Sequence, residues 1–180
     1  MLIRPTWLKD LCTPDITLGG KLLSFVDKHC YLGVTLSHDR SDELDMKKQM
    51  KSVYARGNGL IRQFRHCSED VKCKLFKSFC SSLYASSLWN KYTVTAVNKV
   101  KSAYNKVFRH FMKLDRYDSI STYMVKCDVD TFDMILRNLV FSLRSRLLIN
   151  ENTLIRVIIG CQYFYSSSIF KRWESILGKV

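Results

Sequence analysis

Three successive stretches of the sequence place large apolar residues at steps of three and four, and this pattern constrains the fold more than any other feature. The first stripe comprises Met46, Met50, Val53, Tyr54, Gly57, Leu60, Ile61 and Phe64. The second comprises Val71, Leu75, Phe76, Phe79, Cys80, Leu83, Tyr84 and Leu88. The third comprises Val97, Val100, Tyr104, Val107, Phe108 and Phe111. Such spacing is typical of amphipathic helices. Because the connections are short, the stretches predict a compact three-helix bundle in which each helix buries its stripe on the other two.

Polar residues mark the ends of these helices. Asp42 lies where the N-terminus of the first helix favours negative charge. Ser68 is a suitable N-cap for the second helix, which the pattern continues as far as Leu88. Thr93 or Thr95 can cap the third helix, because a threonine oxygen accepts a hydrogen bond from the first turn. The boundaries agree with three separate helices joined by turns.

Gly57 lies within the apolar stripe of the first helix. Glycine weakens a helix interior by about 1 kcal/mol relative to alanine, so its presence on the apolar side calls for a compensating contact. We therefore expect another helix to approach the first one closely at Gly57.

Before Asp42 the sequence predicts short strands. Gly19-Gly20 separates two short apolar segments, and two glycines can occupy both central positions of a tight hairpin turn. From Tyr31 to Leu36 apolar residues alternate with others, which predicts one half-buried strand with Gly33 in its middle. A glycine there indicates a bulge, or a place where another backbone or a ligand comes close. The segment up to Asp15 predicts an irregular entry to the fold.

After the third stripe the chain again predicts helices. A short helix is expected from Ser121 to Lys126, and a long one begins near Asp130 and ends near Arg146. Two further helices are expected, one from Leu154 to Ile159 and one from Ile169 to Leu177. The predicted fold class is therefore α+β and mostly α: a small N-terminal antiparallel sheet, a three-helix bundle and further helices. We place the domain boundaries at 1–38, 39–115 and 116–180.

The chain carries a formal net charge of +13 at pH 7. This charge favours an anionic partner, most often nucleic acid, although an anionic membrane or solubility alone gives the same composition. The first residues lack the apolar core of a signal peptide, and the apolar run from Leu154 to Phe164 is too short to span a bilayer. We expect an intracellular protein, nuclear or cytoplasmic, that is neither secreted nor transmembrane.

The sequence predicts no catalytic residue, no metal site and no cofactor. The seven cysteines are odd in number and none forms a Cys-x-x-Cys pair, so neither a disulfide framework nor a zinc site is predicted. None of the four histidines lies near a carboxylate or a cysteine at the spacing of metal ligands, and we interpret them as surface or packing residues. No glycine-rich phosphate loop or nucleophile elbow is present.

Two basic helix faces are the remaining candidates for function. The first helix carries Lys47, Lys51, Arg62 and Arg65 on one side. The third helix carries Lys99, Lys106, Arg109 and Lys113 opposite its apolar stripe. Cations in such rows can contact a phosphate backbone without reading its sequence, whereas the alternative is a pair of solvated helix faces. The overall charge favours binding.

The order of these features resembles the carboxy-terminal part of the reverse transcriptases of non-LTR (LINE-type) retrotransposons. The resemblance is carried by the Gly-Gly hairpin, by Tyr31-Leu32-Gly33-Val34 within the segment 26–36, by the long basic helix, and by Leu83-Tyr84-Ala85-Ser86-Ser87-Leu88-Trp89. It covers roughly residues 5 to 147. In that family Lys-Tyr-Leu-Gly-Val closes the palm, and His29 stands near the position where a basic residue is expected.

The resemblance implies roles that the residues alone do not show. Tyr31, Leu32 and Gly33 correspond to the primer-grip hairpin, and residues 1–38 to the end of the palm. Residues 39–115 correspond to the thumb, which holds an RNA–DNA template–primer duplex, and residues 116–180 to a helical connector. The family's polymerase centre uses an Asp-Asp motif and two metal ions, Mg²⁺ in the complete enzyme. No Asp-Asp dipeptide occurs in this sequence.

The expected function is therefore that of a truncated reverse transcriptase (RNA-directed DNA polymerase) fragment. It would bind template–primer duplex without a polymerase active site of its own, and the missing palm and fingers would cover the apolar edge of its sheet. The alternatives are a helical protein-interaction module and a non-functional retrotransposon remnant. The sequence leaves the oligomeric state open.

Overall fold

The computed structural model of the chain describes residues 15–178, and the chain is mostly helical, of the α+β class, as predicted. The strands are β1 (Thr17–Leu18), β2 (Lys21–Leu22), β3 (Lys28–Tyr31) and β4 (Val34–Ser37). The helices are α1 (Glu43–Phe64), α2 (Glu69–Cys80), α3 (Val94–Met112), α4 (Ile120–Lys126), α5 (Phe132–Leu148), α6 (Thr153–Gly160), α7 (Gln162–Ser166) and α8 (Ser168–Leu177). The irregular entry predicted up to Asp15 lies outside the described residues, except for Asp15 itself.

The four strands form two separate antiparallel hairpins, β1–β2 and β3–β4. Gly19 and Gly20 form the first turn with φ values of 57° and 78°, which confirms the predicted hairpin. The single strand predicted from Tyr31 to Leu36 is wrong, because the chain reverses at Leu32 and Gly33. Both residues have positive φ, 45° and 80°, as a two-residue turn of this kind requires. Gly33 therefore has an unusual backbone conformation, but it closes a hairpin rather than interrupting a strand.

Helices α1 and α3 lie side by side and run in the same direction. At their N-terminal ends the Thr93 hydroxyl donates to Glu43 Oε1 over 2.8 Å. Further along, a Cβ built on Gly57 would lie 2.1 Å from Val107 Cγ1. The close approach expected at Gly57 is thus confirmed, and α3 is the helix that makes it.

Helix α2 ends at Cys80, eight residues before the predicted end. Ala85 adopts the left-handed conformation with φ 56°, which no helix interior allows, and a short 3₁₀ turn follows at Ser86–Leu88. The apolar spacing nevertheless continued through this segment because Leu83 and Trp89 are both buried. Apolar periodicity alone did not distinguish a helix from an irregular segment packed on the same core.

One continuous cluster of buried side chains includes residues of α1 to α5 and of α8. At its centre the Phe76 ring meets Tyr104 and Phe108, with ring centroids 5.2 and 5.0 Å apart. The C-terminal helices close the cluster, since Trp173 is buried and its Nε1–H donates to the Ser87 carbonyl over 2.9 Å. Helix α5 begins after Thr131, which caps it in place of the expected Asp130.

Cys73 and Cys127 form a disulfide between α2 and the end of α4, with their Cα atoms 5.5 Å apart. The sequence predicted no disulfide, because the two cysteines are 54 residues apart and only the tertiary fold brings them together. Two ion pairs flank the bond, Lys126–Glu69 at 3.0 Å and Lys77–Asp128 at 2.5 Å. Glu69, Cys73 and Lys77 lie about one turn apart on α2. They contact the consecutive residues Lys126, Cys127 and Asp128, respectively.

Within residues 15–178, none of the helices combines the length and the apolar character that crossing a membrane requires.

Candidate nucleic-acid interface

The four predicted cations of α1 lie on one face of that helix. At 100° per residue, Lys47, Lys51, Arg62 and Arg65 fall within a sector of about 60°. All four are exposed to solvent. The buried side of α1 instead carries Met46, Val53 and Leu60. The α1 cations therefore share one exposed face, the α1 ridge, with Lys47 and Lys51 near its start and Arg62 and Arg65 near its end.

The α3 cations form a second ridge. Lys99, Lys106 and Lys113 repeat every seven residues, so they lie nearly in line along the helix, and all three are exposed. Lys113 is the C-cap of α3 in the left-handed conformation, φ 57°. Arg109 is partly buried, and its guanidinium donates to the carbonyl oxygens of Asp115 and Asp118. Arg109 thus shapes the loop after α3, a role that the sequence pattern did not reveal.

The two ridges converge at the C-terminal ends of α1 and α3. There they border an open concavity of about 510 Å³. Four predicted cations line it: Arg65, Lys106, Arg109 and Lys113. Its apolar wall includes Ile61, Phe111 and Leu114, and His110 also lines it. From the sequence, His110 is interpreted only as a surface or packing residue. A concavity with several cations around an apolar wall is suited to an anion that carries an apolar or aromatic part.

The other four predicted cations lie outside this concavity. At the opposite end of the helix pair, Lys47 and Lys99 line a small pocket together with Glu43. Lys51 and Arg62 line neither of these pockets and lie on the α1 ridge between its ends. The pair of helices therefore presents cations along its whole length, with the highest density at the C-terminal end.

Apart from Arg109, whose guanidinium binds two carbonyl oxygens, these cations are available to a ligand. Among the described residues, the ion pairs involve Lys77, Lys101 and Lys126, and none of the eight predicted cations. An exposed lysine without an ion pair offers its charge to a polyanion, although Lys47 and Lys99 share their pocket with the Glu43 carboxylate. This availability separates the α1 and α3 ridges from an ordinary salt-bridged helix surface.

The three primer-grip-like residues lie at the turn of the β3–β4 hairpin. The Tyr84 hydroxyl donates to the Leu32 carbonyl over 2.9 Å, and Lys48 Nζ donates to the Gly33 carbonyl over 2.6 Å. A Cβ on Gly33 would lie 3.1 Å from the Tyr84 ring. The side chains of Tyr31 and Leu32 are mostly exposed. The hairpin motif and the Leu-Tyr motif, separate in the sequence, thus meet directly.

Asp45 joins this hairpin to α1, and Asp42 joins the segment before α3 to the start of α1; neither role is predicted from the sequence. Asp45 is 1% exposed, and it accepts hydrogen bonds from the Thr35 N–H and from Trp89 Nε1–H, each over 3.0 Å. Asp42 accepts from the backbone N–H groups of Asn90 and Lys91 over 2.6 and 2.7 Å. Burial raises the pKa of Asp42 above its usual value, although those two hydrogen bonds act in the opposite direction.

Across residues 15–178 the structure brings no group of three or more His, Cys, Asp or Glu side chains into an arrangement that could hold a metal ion. Comparisons with protein-family models, with curated proteins and with solved structures found no match to this chain.

Proposed function

We propose that the chain binds an RNA–DNA duplex along the basic ridges of α1 and α3, as the thumb-like part of a non-LTR retrotransposon reverse transcriptase. The observation that carries the proposal is the convergence of Arg65, Lys106 and Lys113 on one concavity, without an ion pair to any described residue. The family assignment rests on the sequence resemblance. An intracellular location, where RNA–DNA hybrids form, belongs to the same proposal.

The length of the ridges supports a duplex as the ligand. From Lys47 to Arg65 the α1 ridge extends over about 27 Å, since an α-helix rises 1.5 Å per residue. One turn of a duplex spans about 34 Å, so the ridge can contact phosphates along most of a turn. A single small anion would occupy only the concavity and leave the remaining cations without a role.

The β3–β4 hairpin has a separate place in the proposal. Tyr31, Leu32 and Gly33 contact the end of the primer strand, as the resemblance implies for the primer grip. The exposed Tyr31 ring can stack on a base, and the turn is held rigidly by Tyr84 and Lys48. The chain itself binds and positions the duplex, while polymerase chemistry with Mg²⁺ belongs to the complete parent enzyme.

The proposal is tested by the anisotropy of a fluorescent RNA–DNA hybrid of about 20 base pairs, titrated with the chain at several salt concentrations. Each phosphate neutralised contributes about −0.9 to the slope of log K against log salt. The double variant Lys106→Ala/Lys113→Ala is expected to flatten this slope by about two units. Arg156→Ala/Lys171→Ala is the matched control, because it removes two exposed cations, on α6 and α8, that lie outside both ridges.

Two results would contradict the proposal. One is an affinity for the hybrid that does not change with salt. The other is an equal loss of affinity in the ridge variant and in the Arg156→Ala/Lys171→Ala control, which would mean that net charge alone drives the binding. If the chain binds single strands more tightly than the hybrid, the ligand is not a duplex, but the basic ridges remain the binding site.

A further inference from the structure

The loop between α3 and α4 presents an aromatic ring to solvent. Tyr117 lies in this loop and is 95% exposed, the highest value among the large hydrophobic residues that the structure describes. A ring so exposed adds little to stability, and a single one on a surface is ordinary. Proteins also use exposed tyrosines to stack the unpaired bases of nucleic acids. The surroundings of Tyr117 favour this second role.

Hydrogen bonds hold the loop in one conformation. The Arg109 guanidinium donates to the carbonyl oxygens of Asp115 and Asp118. The Asp115 N–H donates to Asp118 Oδ2 over 2.7 Å, and the Asp118 N–H donates to the Asp115 carbonyl over 3.2 Å. Tyr117 is therefore part of a closed turn, and a ligand that stacks on its ring orders little additional backbone.

Arg109 also joins the loop to the concavity at the C-terminal ends of α1 and α3, because it lines that concavity. Lys113 and Leu114 line it as well, and they precede Tyr117 by four and three residues. Three residues span at most about 11 Å, so Tyr117 lies at the border of the concavity. A ligand bound among the cations is within reach of the ring.

The charge of this concavity distinguishes it from another of similar size. About 470 Å³ in volume, the second concavity lies beside the Cys73–Cys127 disulfide and is lined by three lysines and three carboxylates. The concavity beside Tyr117 is lined by four cations, and no carboxylate of the described residues lines it. In the loop itself the charge of Asp115 is offset by the adjacent Arg116. Uncompensated cations on a concave surface concentrate the field that attracts an anion.

The volume of the concavity, about 510 Å³, suits a nucleotide. Pockets for single small molecules measure about 300–1,000 Å³, so one or two nucleotides fit, whereas a double helix does not. The apolar wall of Ile61, Phe111 and Leu114 can contact a ribose or the edge of a base. The concavity also lies where the two ridges end. A duplex that follows the ridges leaves them at this point, and a strand that continues without its complement meets the concavity next.

We propose that the concavity and Tyr117 together bind an unpaired nucleotide, in the strand that continues beyond the duplex. Its phosphate contacts Arg65, Lys106 and Lys113, and its base stacks on the Tyr117 ring. The position of this nucleotide next to a duplex rests on the proposed function, whereas the nucleotide site itself rests on the loop and the concavity. Stacking accepts every base, so the site selects no sequence.

Fluorescence anisotropy with two RNA–DNA hybrids tests the proposal at one salt concentration. One hybrid is blunt, and the other carries about four unpaired nucleotides at one end, on the RNA strand or on the DNA strand. The overhang is expected to raise the affinity of the wild-type chain about 5- to 150-fold, which is the contribution of one stacked base. An overhang of abasic nucleotides carries the same phosphates without bases, so it measures the contribution of charge alone.

Tyr117→Ala is expected to lose the gain in affinity from the overhang and to retain the wild-type affinity for the blunt hybrid. Because Tyr117 is almost fully exposed, this variant is expected to keep the wild-type melting temperature. Tyr117→Phe keeps the ring and is expected to keep the gain. Tyr163→Ala is the matched control, since Tyr163 is 72% exposed on α7, outside the concavity, and its loss leaves the gain unchanged.

Three results would overturn the proposal. These are equal affinities of the wild type for the blunt hybrid and for both hybrids with an overhang, a gain that Tyr117→Ala retains in full, and a full gain from the abasic overhang. A failure of the proposed function is distinct, because it would appear as an affinity for the blunt hybrid that does not change with salt. In that case, a single-stranded oligonucleotide whose affinity falls in Tyr117→Ala still supports the nucleotide site.

Discussion

At Gly57 α1 and α3 approach closely, because a side chain there would occupy the space of the Val107 methyl group. Val107 is buried and β-branched, so it cannot rotate away at small cost. The contact fixes the spacing of the two helices that carry the basic ridges. The absence of a Cβ at position 57 therefore sets the distance between the two helices that carry the basic ridges.

Replacing Gly57 by alanine is expected to lower the free energy of unfolding by about 1–3 kcal/mol, because overpacking outweighs the gain in helix propensity. Gly59→Ala is the matched control on the same helix, since a Cβ there meets no atom within 4 Å. That variant is expected to gain up to about 1 kcal/mol. Urea unfolding followed by tryptophan fluorescence measures both, and equal stability of the two variants would exclude the close contact.

Burial of Cys80 and Tyr104 predicts a loss of stability in alkali. Desolvation raises the pKa of the Cys80 thiol from its usual 9.0 to about 11, and it raises the pKa of the Tyr104 hydroxyl well above 10. The folded chain therefore keeps protons that the unfolded chain releases. Stability is full below pH 9 and falls as the pH rises through the unfolded values, by up to about 1.4 kcal/mol per pH unit for each group.

Chemical denaturation between pH 8 and 11 measures this effect, and Tyr104→Phe isolates one contribution. The variant loses the hydrogen bond from the Tyr104 hydroxyl to the Asp130 carbonyl, so it is less stable at every pH. Its stability is nevertheless expected to fall less steeply above pH 10 than that of the wild type. Parallel curves for the two proteins would show that Tyr104 ionises normally in the folded chain.

At the scale of the elements, the β3–β4 hairpin depends on contacts from outside itself. Its strands are short, and its side chains are mostly exposed. Two-stranded hairpins are marginal alone in water, so the hydrogen bonds from Thr35 to Asp45 and from Tyr84 to Leu32 hold it in place. The hairpin is thus stabilised by α1 and by the segment after α2.

Asp45→Asn is expected to destabilise the hairpin, because an amide offers one acceptor oxygen where the carboxylate satisfies two donors. Either the Thr35 N–H or the Trp89 indole N–H then remains unpaired in the interior, a loss of about 1–3 kcal/mol. Hydrogen exchange at Thr35 and the emission maximum of Trp89 report the two sites separately. Unchanged exchange and emission would mean that Asp45 does not join the two segments.

The disulfide between α2 and α4 predicts a redox-dependent stability. A bond that closes a loop of this length, 54 residues in sequence separation, contributes up to about 4 kcal/mol in the chain-entropy treatment. Cys73→Ser, or reduction of the wild type, is expected to lower the melting temperature by several degrees. Cys67→Ser is the control, because Cys67 is a free thiol. A wild type that is unaffected by reductant would show that the bond does not form in solution.

Local pattern predicted most of the helices, because α1 to α5 and α8 bury apolar side chains and most helices begin at a capping side chain. It did not predict α7, none of whose residues is buried. It failed where two structures share the same local pattern. Leu32-Gly33 alternates like a strand but turns, since Tyr84 and Lys48 bind its carbonyl groups from other elements. Residues 81–89 keep apolar spacing without being helical. The basic ridges were predictable from spacing, whereas their convergence on one concavity required the parallel packing of α1 and α3.

At the scale of the whole molecule, charge and apolar surface occupy different faces. The ridges of α1 and α3 concentrate unpaired cations, while the outer face of α5 exposes Met134, Phe141 and Leu148. The net charge of +13 attracts a polyanion to the ridges.

Salt is therefore expected to weaken the proposed binding to an RNA–DNA hybrid. Between about 50 and 200 mM salt, the affinity falls by a factor of about 10³–10⁵ if six to ten phosphates are contacted. Anisotropy titrations at several salt concentrations measure this trend. An affinity that stays constant over the same range would exclude contacts between the ridge cations and phosphates.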